Sequence, residues 1–311
     1  MLAAFADRLA DAVRQKNSTL VVGLDPVPDR LPRALLTAAE RRGDDARQLI
    51  ARGIENFDEA VIELVAPFAV AVKPQIAFYE LWGPPGLAAY ERAVRTAKAA
   101  GLLVIGDIKR GDIGSTATAY AEAYLGNYSQ PELPSGGSAC ADAVTVNPYL
   151  GSDSVRPFID VARRESAGLF VLVRTSNPSA HELQSLVSGG RPLDEHVASL
   201  VTEWRHDMQG DCGYSSIGAV VGATAPRDMA RPRACLPTAW FLVPGVGAQG
   251  AHPQDVAPGF GRDGLGLIVN SSRSILYAYE TPDAADWKSP IREAARTLRD
   301  DLRLAAAATP R

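Results

Sequence analysis

Eight short runs of apolar, largely β-branched residues punctuate this chain, at 19–25, 68–74, 101–109, 143–147, 168–174, 217–222, 240–245 and 266–270. Most are apolar almost without interruption, rather than alternating with polar residues. That is the pattern of strands covered on both faces. Helix-like segments lie between them at 56–64, 87–100, 116–125, 152–164, 194–208 and 227–235, and a last one at 289–306 follows the eighth run. A strand that returns to its neighbour through a helix must pair with it in parallel. Eight such units predict an α/β fold of the (β/α)8 TIM-barrel type; an open doubly wound sheet is the alternative topology. Segments rich in Gly, Pro and Ser at 127–139, 187–192 and 209–216 read as loops, because the strand–helix rhythm resumes after each. One barrel domain over 1–311 is expected, with an amino-terminal helix and insertions near 127–139 and 181–216.

Several function classes fall away on composition. The formal net charge of −4 repels nucleic acid rather than attracting it. No apolar run reaches the ~20 residues needed to cross a bilayer. The opening MLAAFADRLADAVRQK carries Asp7, Arg8, Asp11 and Arg14, so it reads as an amphipathic helix and not as a signal peptide. Three cysteines without CxxC spacing suggest neither a disulfide framework nor structural zinc, and fit a cytoplasmic location. The four histidines, His181, His196, His206 and His252, are scattered and give no support to a histidine-based metal site.

In a barrel of this type the chemistry gathers where the strands end at their carboxyl side. The first run ends at Asp25, the second at Lys73, the third at Asp107 and Lys109, and the fourth at Asn147. The fifth leads into Arg174, Thr175, Ser176 and Asn177. Any one of these could be a solvated strand end. Ionisable groups closing three consecutive apolar strands are harder to explain that way, since burying them is costly unless they pair. Asp107 and Lys109 lie two apart and so face the same side of a strand, with Ile108 facing the helices. Asp112 cannot join them by simple alternation; it reaches the same centre by a turn or serves another one. Ser115 or Thr116 could also act simply as a helix N-cap.

The seventh run leads into PGVGAQG (244–250) and the eighth into NSSR (270–273). Glycines there let backbone N–H groups approach an anion, and Arg273 can grip phosphate oxygens bidentately. A tight turn plus a surface arginine is the plainer alternative. No GxGxxG opens a helix after the first strand, which disfavours a dinucleotide site.

Together these motifs resemble the orotidine 5′-phosphate decarboxylases, and the longer, mainly bacterial branch in particular. GDIKRGDIGSTATAYA is similar to the family's Asp-x-Lys-x-x-Asp-Ile signature, with Asp107, Lys109, Asp112 and Ile113 in register and Thr116 where the family places a threonine. LVVGLDPVPDRLP resembles the strand with the ribose-contacting aspartate, here Asp25, and VAVKPQIAFYE supplies Lys73. RTSNPSA resembles the segment that reads the pyrimidine, through Ser176. VPGVGAQGA resembles the phosphate loop, with Gly245, Gly247 and Gln249, and IVNSSRSILYA supplies Arg273. The resemblance implies loss of CO2 from orotidine 5′-phosphate to give UMP, the last step of de novo UMP biosynthesis. Lys109 is then the general acid within an Asp/Lys array of Asp107, Lys73 and Asp112. It implies a homodimer that shares Asp112 across its interface, and neither metal nor cofactor. The nearest rival is a magnesium-dependent sugar-phosphate decarboxylase or aldolase of the same superfamily; a non-catalytic phosphate-binding barrel is another.

Overall fold

A computed structural model describes residues 2–40, 45–126, 140–222, 226–247 and 250–308. Its centre is a closed parallel barrel of β1 (Leu20–Leu24), β2 (Ala71–Pro74), β3 (Leu103–Arg110), β4 (Ala143–Val146), β5 (Gly168–Arg174), β6 (Ser215–Val221), β7 (Ala239–Pro244) and β8 (Leu267–Ser271). Each strand pairs with the next, and β8 closes on β1 through Leu20 opposite Val269 and Val22 opposite Ser271. Closure removes both sheet edges and excludes the open alternative.

Alternation along each strand divides its side chains between two cores. Leu20, Val22 and Leu24 of β1, Val104 and Ile108 of β3, and Leu169, Val171 and Val173 of β5 face outward into the helix layer. Val21, Ala71, Ile105, Ala143, Phe170, Val220, Trp240, Leu242 and Ile268 fill the barrel interior. That interior packs like any other core and is no pore. The same period of two then carries the inward face upward from Val21 to Asp25, from Ala71 to Lys73, and from Ile105 to Asp107 and Lys109.

The amino-terminal segment forms the expected helix, Phe5–Lys16, and buries Phe5, Ala6, Leu9, Ala10 and Val13. It seals the barrel at the amino ends of the strands. The Phe5 ring meets Phe170 edge to face, with centroids 6.0 Å apart, and the Ala6 N–H donates to Ser216 Oγ at 3.1 Å. Gly168 makes this approach possible, since a Cβ there would lie 2.2 Å from the ring.

Three local expectations change. The helix expected over 56–64 spans Ala46–Val65, started by a capping box in which Asp45 accepts from the Gln48 N–H and the Gln48 side chain from that of Asp45. Ser215 and Ser216, expected in a loop, begin β6 and are buried. Their hydroxyls are satisfied there: Ser215 Oγ accepts from the Ile217 N–H, and Ser216 Oγ from Ala6. The 187–192 segment is an antiparallel hairpin of Val187–Ser188 with Arg191–Pro192, turned by Gly189 and Gly190 at φ of 57° and 79°. Helix Leu193–Trp204 then returns the chain to β6. The 127–139 insertion lies outside the described residues. No helix among the described residues is long and apolar enough to cross a membrane.

Candidate active site

At the carboxyl ends of the strands the barrel opens into a cavity of ≈ 480 Å³. Asp25, Lys73, Asp107, Lys109, Ser176, Gly245 and Arg273 all line it. Residues from six strand ends, spread from residue 25 to residue 273 of the sequence, thus share one volume.

Asp107 is the hub. Its Oδ2 accepts from Lys73 Nζ at 2.5 Å and from Gln75 Nε2 at 3.0 Å. Its Oδ1 accepts from Lys109 Nζ at 2.5 Å and from Thr145 Oγ1 at 2.8 Å. Asp107 and Lys73 are 4% and 5% exposed, so this pairing occurs away from bulk water, where an unpaired charge would be very costly. Burial by itself pushes the Asp107 carboxyl up, but Lys73 and then Lys109 outweigh it and hold the group well below the usual carboxylate range. For Lys73 burial pulls the other way; Asp107 first and Asp25 next overcome it and raise the ammonium above its ordinary value. One ionised carboxylate is therefore clasped by two cations.

Lys109 differs from Lys73 in being turned toward the opening, with its side chain 44% exposed. Its backbone has φ of +45°, the left-handed region that a Cβ disfavours, at a cost on the order of 1–3 kcal/mol. Regular pairing of β3 with β4 slips between Gly106 and Arg110, and the Lys109 N–H donates instead to Thr145 Oγ1 at 3.0 Å. The irregularity re-aims Lys109 without breaking its link to the hub.

Other sides of the cavity carry unused polar capacity. Oδ1 of Asp25 and Oδ1 of Asn270 are buried and have no hydrogen-bond partner among the described residues. The backbone of Asp25 is firmly held, since the Tyr277 hydroxyl donates to its carbonyl at 2.9 Å and accepts from the Val27 N–H at 2.7 Å. Arg273 begins the short helix Arg273–Leu276, with no carboxylate in ion-pair reach among the described residues.

Some expected residues lie elsewhere in the single chain. Asp112 and Thr116 do not line the cavity. Asp112 Oδ1 accepts from the Ile113 N–H at 2.8 Å, and Thr116 is exposed on the first turn of helix Gly114–Leu125. Neither Ser115 nor Thr116 caps that helix, whose N-cap is Ile113. Gly247 faces the neighbouring groove, and its N–H is taken by the Ala251 carbonyl at 3.0 Å. Of the expected glycine pair, then, only Gly245 (φ 105°) borders the cavity. Gln249 lies outside the described residues. Conversely, Thr145 and Gln75 complete the hub and were not singled out from the sequence. Thr145 had left a signal, as the one hydroxyl at an inward position of an otherwise apolar strand.

A family model described as "Orotidine 5'-phosphate decarboxylase / HUMPS family" matches residues 18–286. The chain belongs to this family. An orotidine 5'-phosphate decarboxylase of Rhodopirellula baltica is 41% identical over 305 residues, covering 96% of this chain and 99% of the relative. One of Caldicellulosiruptor bescii is 38% identical over 309 residues, covering 97% and 98%. The solved OMP decarboxylase of Leishmania donovani superposes with a TM-score of 0.75 at 33% identity, covering 98% of this chain and all of that one. Membership therefore runs through the whole barrel, and through the segments that carry Asp25, Lys73, Asp107, Lys109, Ser176 and Arg273.

Proposed function

We propose that this chain removes CO2 from orotidine 5′-phosphate to give UMP in pyrimidine biosynthesis, with Lys109 as the general acid. The observation that carries the reading is the Lys73–Asp107–Lys109 cluster, which holds one ionised carboxylate and one ammonium turned toward the opening of a nucleotide-sized cavity. In the reaction the bond from C6 to the carboxylate breaks and its electron pair stays on C6. The Lys109 ammonium stabilises that charge as it develops, then transfers its proton to C6; the neutral amine regains a proton from solvent. Asp107 faces the departing carboxylate. Two like charges ~4 Å apart repel by about 4 kcal/mol at an effective dielectric of 20, which is relieved as CO2 leaves. That is a fraction of the roughly 8–23 kcal/mol by which enzymes lower barriers, so preorganised charge supplies the rest.

The remaining groups hold the nucleotide. The unpartnered Asp25 oxygen suits a ribose hydroxyl, Ser176 the pyrimidine, and Arg273 with Gly245 the phosphate. Binding energy gathered at that remote phosphate helps position the ring over Lys109. The scheme uses no metal and no cofactor. It includes a homodimer in which Asp112 and Thr116 reach the neighbouring site. In support, the loops after β2, β3 and β4 expose Leu81, Ile113, Tyr149 and Leu150, apolar surface that a second copy would cover. Three cysteines, none in a disulfide, suit a cytoplasmic setting.

The deciding experiment is an orotidine 5′-phosphate decarboxylation assay in excess chelator. Full turnover is expected in wild type and none above background in Lys109→Ala. Dependence on an added divalent metal, or retained turnover without Lys109, would overturn the proposal.

A further inference from the structure

We infer that Gln184, outside the cavity, is a positioning residue that sets the segment reading the base and so contributes to selecting a nucleotide over a bare sugar phosphate. This deepens the reading above and rests on Ser176 being the base contact. The argument begins with what holds Ser176. Its hydroxyl makes no hydrogen bond among the described residues, although it lines the cavity. Behind it the chain approaches Gly222 so closely that a Cβ there would lie 2.8–2.9 Å from the Ser176 N, Cα and Cβ atoms.

Both neighbours of Ser176 are tied, Thr175 directly to Gln184 and Asn177 to Thr175. The Thr175 N–H donates to Gln184 Oε1 at 2.9 Å, and Gln184 Nε2 donates to Thr175 Oγ1 at 2.7 Å. The Thr175 hydroxyl passes its own proton on to Asn177 Oδ1 at 2.7 Å. The amide orientation is fixed by this network, because the backbone N–H can only donate. One side chain therefore grips the residue before Ser176 at two points, and through the Thr175 hydroxyl is linked to the residue after it, without lining the cavity.

Gln184 can act this way because the excursion that carries it is anchored. Arg174 Nη1 donates to Ser185 Oγ at 2.9 Å, and the Leu193 N–H donates to the Leu186 carbonyl at 2.9 Å. At the far end Asp194, 4% exposed, pairs with Arg231 at 3.0 Å and with Arg174 at 3.5 Å. The excursion from 178 to 193 is thus a brace leaning on the end of β5. A two-point grip by an amide costs little entropy once the brace is in place, and its loss frees the Thr175–Asn177 backbone next to the ligand.

The test compares binding of UMP and of ribose 5-phosphate, which share sugar and phosphate and differ in the base. Calorimetry on wild type, Gln184→Ala, Thr175→Val, the double variant and Ser176→Ala is combined with KM and kcat for decarboxylation and with Tm as a check of folding. In Gln184→Ala UMP binding is expected to weaken by about tenfold, because the freed segment must then be ordered on binding, with ribose 5-phosphate held within about twofold. KM should rise more than kcat falls. The double variant should lose less than the sum of the two single losses, because the Gln184–Thr175 bond is common to both changes while the Thr175–Asn177 bond is lost only with the hydroxyl. Gln184→Glu, still able to accept from the Thr175 N–H, should recover part of the loss. Equal weakening of both ligands, or an unchanged preference for UMP, overturns the inference. Ser176→Ala separates the two levels. If it loses the preference while Gln184→Ala keeps it, the brace alone is refuted. If Ser176→Ala keeps the preference, the base contact and the brace fall together.

Discussion

At the scale of single residues, the site is arranged around what two lysines on one carboxylate can and cannot do. Lys73 is fully enclosed and serves to keep Asp107 ionised; Lys109, half exposed, has room to meet a substrate. Replacing Asp107 by Asn strands the buried Lys73 charge. That change should cost about 3–5 kcal/mol of stability and remove turnover, as read by denaturant unfolding and by the decarboxylation assay. Its pH signature has a definite sign. Because the folded pKa of Asp107 is depressed, its contribution is present above the ordinary carboxylate value and lost as the pH falls below it. Asp58 behaves oppositely. Buried and bonded to the Tyr79 hydroxyl at 2.7 Å, it is pushed up to about 7, by burial first, with Asp25 adding and Tyr79 opposing. An unfolded aspartate ionises near pH ~3.9, so the folded chain binds the extra proton between about pH 4 and 7, and stability declines as the pH rises through that window. Asp58→Asn keeps an acceptor for Tyr79 and loses the titration. A Tm profile flatter than wild type over that window is expected; parallel profiles would contradict the assignment.

At the scale of elements, glycines mark where one segment must approach another. Gly168 admits the Phe5 ring, and through it the amino-terminal helix, to the base of the barrel. Gly168→Ala should dislodge that helix end and lower stability by about 1–3 kcal/mol, the usual cost of overpacking, while leaving the cavity at the opposite end chemically intact. Thermal unfolding should therefore show a lower Tm, with KM near wild type; a shifted KM at unchanged Tm would mean that the helix serves the site and not the core. Elements also decided how much was readable. The eight apolar runs translated into eight strands because burial on both faces leaves an unbroken composition signal. The first half of Ala46–Val65 was missed because its ARQLIARGIE stretch mixes charge and apolar residues, although Asp45 and Gln48 already stand at the spacing of a capping box. Ser215 and Ser216 looked like loop because what buries them is folded over them from elsewhere: Ser215 Oγ meets the Met208 carbonyl, and Ser216 Oγ meets Ala6, 210 residues away.

At the scale of the whole molecule, Asp112 and Thr116 do not line the cavity of the single chain. In the proposed homodimer each site draws these two residues from its neighbour. Mixing Lys109→Ala with Asp112→Ala chains then has a clear expectation. Each variant alone is inactive, yet random pairing makes half of the dimers hybrids, and each hybrid carries one intact site, so about a quarter of wild-type activity should return. No recovery on mixing, with hybrid dimers demonstrated, would place Asp112 in its own chain's site.

The sequence by itself determined the period of the fold and the kinds of group that close each strand, because alternation sends Asp25, Lys73, Asp107 and Lys109 inward in any closed parallel barrel. It also carried the family motifs. Tertiary structure alone decided which of these groups touch. Thr145 joins Asp107 through the register of β3 against β4, and Gln184 reaches Thr175 through the folding back of an excursion. Gly247 turns its N–H to Ala251 and away from the cavity. Those outcomes depend on distances between segments that are far apart along the chain. Local propensity carries no information about them, since a hydroxyl or an amide has the same preferences whether or not a partner from another strand arrives to meet it.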